Sequence, residues 1–245
     1  MKAKAAIDFN AIKYAKEELD RFMMPYKLAL DEVNTKIDSL KQELQYVNDY
    51  NPLEHVKSRL KSPNSILRKA DKKGYDLSLI SIKENIRDIA GVRITCSFMS
   101  DIYLISEMLQ KQKDMTVVDC KDYIQSPKPN GYRSLHLIIQ VPVLMSHRED
   151  RVFVEIQIRT IAMDVWASLE HKIYYKYDGY IPKELKDELT DAALSACRLD
   201  EKMEAIHKKV NQIKKQRESS SELASRISDD YLLLPPGLHM KQWRD

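Results

Sequence analysis

R-V-F-V-E-I-Q-I-R-T, residues Arg151 to Thr160, reads as a strand with two unlike faces. Strand alternation puts Val152, Val154, Ile156 and Ile158 on one side and Phe153, Glu155, Gln157 and Arg159 on the other. A strand with an apolar back and a Glu-Gln-Arg front belongs to a sheet packed on one face only. The polar face is then either open to water or the lining of a site.

Further strands lie upstream. V-R-I-T-C-S-F from Val92, M-T-V-V-D-C-K-D-Y from Met115, and Tyr132 to Val141 are β-branched or alternating. Asp101 to Lys113 reads as a helix between the first two, and S-P-K-P-N-G, ending at Gly131, as a loop. Helical spacing dominates outside the sheet. Leu19, Phe22, Met23, Tyr26, Leu30, Val33, Ile37, Leu40 and Leu44 recur at three- and four-residue intervals within Asn10 to Asp49, where Pro25 should end one helix or begin another.

Leu53 to Gly74 contains a shorter helix with Ser62 as N-cap, Pro63 at its first position and Gly74 as its stop. After Thr160 the pattern is helical to about Tyr177. D-G-Y-I-P then interrupts it before a long charged helix that runs to about Arg217. The expected organisation is N-terminal helices over 1–50, a core over 51–180, a C-terminal helical region over 181–217 and a mobile tail over 218–245 that carries the apolar patch Tyr231 to Leu234. The fold class is α+β, a mixed sheet of about four or five strands flanked by helices at both ends.

Composition narrows the function. The 245 residues hold 40 Lys+Arg against 37 Asp+Glu, a formal net charge of +3, which does not indicate a general RNA- or DNA-binding surface. Three cysteines, Cys96, Cys120 and Cys197, are far apart and form no C-x-x-C pair, against both a disulfide framework and a zinc site. No leader or spanning stretch is visible, so the expectation is a cytoplasmic protein with no membrane partner.

Five stretches can carry chemistry. Arg59 and Lys61 precede the Ser62-Pro63 helix start, Ser65 falls in its first turn and Lys69 shares a face with Ser65. Cations, a hydroxyl and a helix N-terminus together suit a polyphosphate, although a solvated basic helix would look the same. In I-R-D-I-A-G-V-R, Asp88 precedes a strand as a candidate Mg²⁺ ligand, Gly91 allows a close approach, and Arg93 can stack on a base or bind phosphate. The alternative is a surface Asp-Arg pair.

In N-G-Y-R-S-L-H, alternation places Tyr132, Ser134 and His136 on a binding face, with Tyr132 able to stack on a purine; a hydrogen-bonded core histidine is the plainer reading of His136. Glu155 is the natural second metal ligand opposite Asp88, or a base for an attacking hydroxyl, and the two roles compete. In a fifth stretch, Glu170-His171 follows on the next helix, with helix-surface charge as the alternative, the preferred reading for Lys172. No glycine-rich phosphate loop occurs, so strand and helix side chains would have to hold any nucleotide.

In series, R-x-K-x-x-x-S-x-x-x-K, R-D-I-A-G-V-R, G-Y-R-S-L-H and V-E-I-Q-I-R-T resemble the synthetase domain of the RelA/SpoT homologues, and specifically the small alarmone synthetases, from about Pro52 to Leu199. The resemblance implies a nucleotidyltransferase-like mixed sheet and transfer of pyrophosphate from ATP to the 3′-hydroxyl of GDP or GTP. It implies that Arg59 and Arg93 sandwich adenine, that Lys61, Ser65 and Lys69 hold the ATP phosphates, and that Asp88 and Glu155 bind Mg²⁺, with Glu155 activating the hydroxyl. Tyr132 would stack on guanine, with Lys121, Lys128, Arg133, His136 and Gln157 near the acceptor.

Asp164 stands where some members carry an asparagine that reads the guanine edge. The resemblance also implies a homotetramer built through the flanking helices. No His-Asp dipeptide occurs and no regulatory domain follows, so synthesis without hydrolysis is expected. Two rivals remain: a related transferase that moves a nucleotide rather than pyrophosphate, and an inactive synthetase fold used as a nucleotide or RNA sensor; a purely structural helical protein is a distant third, because it leaves the Glu155-Gln157-Arg159 face without an explanation.

Overall fold

A computed structural model of the chain describes residues 9–47, 50–176 and 182–217. The expected mobile tail, most of the D-G-Y-I-P break and the junction at 48–49 lie outside the described residues. The chain divides into two compact units, residues 1–200 and 201–245. The sheet and every candidate site residue belong to the first. The described part of the second is the C-terminal portion of one long helix.

Five strands form one mixed sheet in the order β1-β2-β5-β4-β3. They are β1 (Leu53–Leu60), β2 (Ala90–Cys96), β3 (Thr116–Asp122), β4 (Leu135–Leu144) and β5 (Glu149–Thr160). Only β2 and β5 run parallel; the other neighbours are antiparallel. The helices are α1 (Phe9–Val47), α2 (Pro63–Lys73), α3 (Leu79–Asn85), α4 (Met99–Gln110), α5 (Ile161–Lys176) and α6 (Lys183–Arg217).

The apolar back of β5 is core as expected: Val152, Val154, Ile156 and Ile158 are buried with Leu137, Ile139 and Ile94. Helices α1 and α4 pack on the sheet, and α1 contributes Tyr26, Leu30, Val33, Ile37, Leu40 and Leu44 to the same core.

The structure differs from the sequence reading at several elements. Helix α1 runs unbroken through Pro25. The residue costs one backbone hydrogen bond, about 3 kcal/mol. The buried stripe that follows it outweighs that loss, at about 1.5–3 kcal/mol per large apolar side chain. Leu53–Leu60 is a strand to which alternation gives no signal: it is a sheet edge, exposed along most of its length. Strand β4 begins at Leu135, so Tyr132 and Ser134 precede it, and their placement comes from the loop, not from strand alternation. Helix α3 was not expected.

Candidate active site

Register assembles the site. Arg93 on β2 stands opposite Gln157 on β5, Gln157 opposite His136 on β4, and His136 opposite Lys121 on β3. One row across the polar face therefore gathers residues far apart in sequence. The next row pairs Arg59 with Gly91 and Gly91 with Glu155. An added Cβ at Gly91 would meet nothing closer than 3.8 Å, so glycine there is not forced by packing and leaves the floor of a cleft open.

Two clefts adjoin, with Arg59 in the wall of both. One, of about 320 Å³, is lined by Lys57, Arg59, Gly91, Arg93, Glu155 and Gln157. The other, of about 400 Å³, is lined by Arg59, Lys61, Ser65, Arg68, Lys69, Lys72 and His171. Helix α2 opens onto this second cleft. Ser62 caps it, Oγ accepting from Ser65 N–H, with Pro63 in its first turn. Ser65 Oγ lies 2.9 Å from Ser62 Oγ. The cleft thus holds four Lys/Arg heads besides Arg59, together with the positive end of a helix dipole, a setting for several phosphates.

Asp88 pairs with two of the lysines that line this cleft. Its Oδ2 accepts from Lys61 Nζ at 2.5 Å and pairs with Lys69 Nζ at 2.8 Å. Its Oδ1 is buried and has no hydrogen-bond partner among the described residues. Burial pushes the Asp88 pKa up, but the hydrogen bonds and charges of the two lysines hold it below the usual carboxylate value.

Glu155 is one member of a closed ring of hydrogen bonds. Arg159 Nη2 donates to the Tyr132 hydroxyl at 2.5 Å and to Gln157 Oε1 at 2.7 Å. The Tyr132 oxygen lies 2.8 Å from His136 Nε2, His136 Nδ1 lies 3.3 Å from Glu155 Oε1, and Gln157 Nε2 donates to Glu155 Oε2 at 2.8 Å. Arginine can only donate and a carboxylate can only accept, so the Tyr132 oxygen accepts from Arg159 and Glu155 accepts from His136 Nδ1. Burial raises the Glu155 pKa and the nearby Asp88 charge adds to that, but His136 and Gln157 together bring it below the ordinary value. Glu155 is therefore ionised at neutral pH.

Around Tyr132, Lys128 Nζ lies 4.6 Å from the ring centroid, and equally from that of Tyr123. The Arg159 guanidinium carbon is 5.0 Å from the Tyr132 ring. Burial lowers the Lys128 pKa, with Arg159 adding and Glu155 opposing. Asp164 lies between Arg93 and Arg159.

The structure thus brings together Arg59, Lys61, Ser65, Lys69, Asp88, Arg93, Lys128, Tyr132, His136, Glu155, Gln157 and Asp164. It does not bring Arg133, whose Nη1 donates to the Ile124 carbonyl, into the ring. Lys121 is at the row's exposed end, paired with Asp119 at 3.0 Å. Sequence reasoning missed Arg68 and Lys72, which α-helical spacing from Ser65 and Lys69 could have found, and Lys57, Tyr123 and β1's role as a wall. Arg159, read only as part of a polar face, is the buried hub of the ring. His171 lines the second cleft as well.

Residues 58–180 match the model of a region found in RelA / SpoT proteins. The GTP pyrophosphokinase YwaC of Bacillus subtilis is 52% identical over 200 residues, 82% of this chain and 95% of that one. The chain belongs to the RelA/SpoT family. Within that family it is similar in structure to the small alarmone synthetase 1 of B. subtilis bound to its product pppGpp, with a TM-score of 0.74 and 43% identity over 79% of this chain and 98% of the other. The same synthetase bound to AMPCPP matches with a TM-score of 0.69 and 41% identity, covering 80% and 99% of the two chains. Small alarmone synthetases thus share with this chain the five-stranded mixed sheet and its flanking helices.

Proposed function

We infer that the chain is a GTP pyrophosphokinase of the small alarmone synthetase type. It moves the β,γ-pyrophosphate of ATP to the 3′-hydroxyl of GDP or GTP and forms ppGpp or pppGpp with AMP. The observation that carries this reading is the ionised Glu155 set between a basic double cleft and the Tyr132 ring, in a chain 52% identical to a named GTP pyrophosphokinase.

The residues divide by subsite. Arg59 and Arg93 flank the adenine in the smaller cleft. Lys61, Ser65, Lys69 and the N-terminus of α2 hold the triphosphate, with Arg68 and Lys72 adding charge. Tyr132 offers its ring to guanine, and Lys121, Lys128, His136 and Gln157 serve the acceptor. Arg133 acts through the loop it braces. Glu155 takes the 3′-hydroxyl proton as the new bond to the β-phosphorus forms and the bond from that phosphorus to the α,β-bridging oxygen breaks, releasing AMP.

The unpartnered buried Oδ1 of Asp88, with Glu155 nearby, fits a magnesium ion held by one or two carboxylates and substrate phosphates. When bound, the ion would neutralise phosphoryl charge. Among the described residues no cluster of three or more His, Cys, Asp or Glu side chains occurs, and substrate phosphates and water would fill the remaining positions.

The absence of a His-Asp dipeptide supports synthesis without hydrolysis. Free cysteines support a cytoplasmic setting, and among the described residues no helix is long and apolar enough to cross a membrane. Exposed Ile161, Val165, Leu169 and Ile173, spaced by four along α5, support assembly into a homotetramer.

The test is incubation with Mg²⁺, γ-labelled ATP and GDP, with Glu155→Gln alongside. Labelled guanosine tetraphosphate and AMP, lost in the variant, are expected. Free pyrophosphate in place of AMP would point to nucleotidyl transfer, and binding without product to a sensor.

A further inference from the structure

Asp164 lies in the first turn of α5, directly after β5. Its resemblance-based role is to read guanine, yet its Oδ1 is engaged by two guanidiniums: Arg93 Nη1 at 3.2 Å and Arg159 Nη1 at 3.3 Å. The two arginines face different subsites. Arg93 lines the smaller cleft beside Glu155 and Gln157. Arg159 directs its other nitrogen to the Tyr132 hydroxyl and to Gln157. The Arg159 side chain is only 4% exposed and that of Asp164 19%, so water screens this ion pair poorly, whereas Arg93 is 33% exposed. Burial and the Arg159 charge both disfavour the charged form of Arg93, and Asp164 opposes them. A single carboxylate thus lets two cations stand together where each is needed.

We propose that Asp164 is a positioning residue shared by the two nucleotide subsites: it fixes Arg93 for the ATP base and, through Arg159, fixes Tyr132 and Gln157 for the acceptor. The inference rests on the pyrophosphokinase reading of the two clefts. Loss of the carboxylate charge would release Arg93 from Arg159 and loosen both subsites at once. A residue that only reads guanine would act on the acceptor alone.

Calorimetry of the full chain with AMPCPP, with no acceptor present, separates the two. Asp164→Asn keeps the shape and removes the charge. Its dissociation constant for AMPCPP is expected to rise about fivefold, the scale of one lost charged contact. In steady state KM should rise for both ATP and GDP, with kcat changing far less. Poor folding would lower the titration stoichiometry and kcat instead, leaving the AMPCPP constant readable. AMPCPP binding within twofold of the unaltered chain would overturn the proposal, whatever the GDP KM does. Arg93→Ala is the control on the underlying assignment. If it leaves AMPCPP affinity intact, the donor cleft has been misplaced and the role of Asp164 falls with it. If it weakens AMPCPP while Asp164→Asn does not, only the role of Asp164 falls.

Discussion

Glu155 has both carboxylate oxygens engaged, by His136 and by Gln157. Glu155→Gln keeps the shape and removes the proton acceptor, so kcat should fall by roughly 10²–10⁴-fold, with the thermal midpoint almost unmoved; turnover and a melting curve on one preparation check both. His136→Ala tests the environment. Burial pushes the Glu155 pKa up and His136 is the first group that pulls it down. Without the imidazole, the acid limb of the kcat–pH profile should move to higher pH, and an unmoved limb would show that His136 does not tune the carboxylate. At this scale the sequence exposed identities better than contacts. Alternation placed Glu155 and Gln157 on the polar face correctly, because a strand's period is geometric. It had no means of sending Arg133 to the Ile124 carbonyl or of making Arg159 the hub, because those outcomes depend on which loop and which strand stand beside each residue.

The acceptor loop shows what one element does for another. Gly131 has φ +84°, and a Cβ there would stand 2.5 Å from the Cβ of Ala193 on α6. Trp166 Nε1 on α5 donates to the Leu189 carbonyl of α6 at 2.9 Å, which holds that helix where the loop meets it. Gly131→Ala should cost about 1–2 kcal/mol from the left-handed backbone alone, and more from the clash. The GDP KM should rise too, because Lys128 and Tyr132 flank the same turn. Adding Ala193→Gly should recover the clash and leave the backbone part, which urea unfolding of the single and double variants measures. Full recovery, or none, would contradict this division. Legibility at this scale follows burial. The Ser62-Pro63 start and Gly74 stop of α2 were readable because capping is local. Edge strand β1 was not, because its exposed residues carry no alternation.

For the whole molecule, the polar face of the sheet depends on β2 and β5 lying parallel and adjacent, with α4, β3 and β4 between them in the chain. Patterning shows which face of a strand is apolar but not which strand it pairs with, so the row from Arg93 to Lys121 could be suspected from motifs and seen only in the fold. Collecting so much charge on one face ties stability to pH. The folded pKa values of Asp88 and Glu155 both lie below their reference values of 3.8 and 4.5. Each carboxylate therefore contributes stability that is complete above its unfolded pKa and is lost as pH falls through its folded one. The window opens near pH 4.5 and extends downward. Unfolding by urea at pH 7, 4.5 and 3.5 should show the unaltered chain losing stability below pH 4.5. Asp88→Asn, which lacks the lysine-bound anion, should begin less stable at pH 7 and lose less on acidification. Equal acid losses in the two proteins would mean that the Lys61–Asp88–Lys69 cluster contributes nothing to the folded state beyond what the unfolded chain already has.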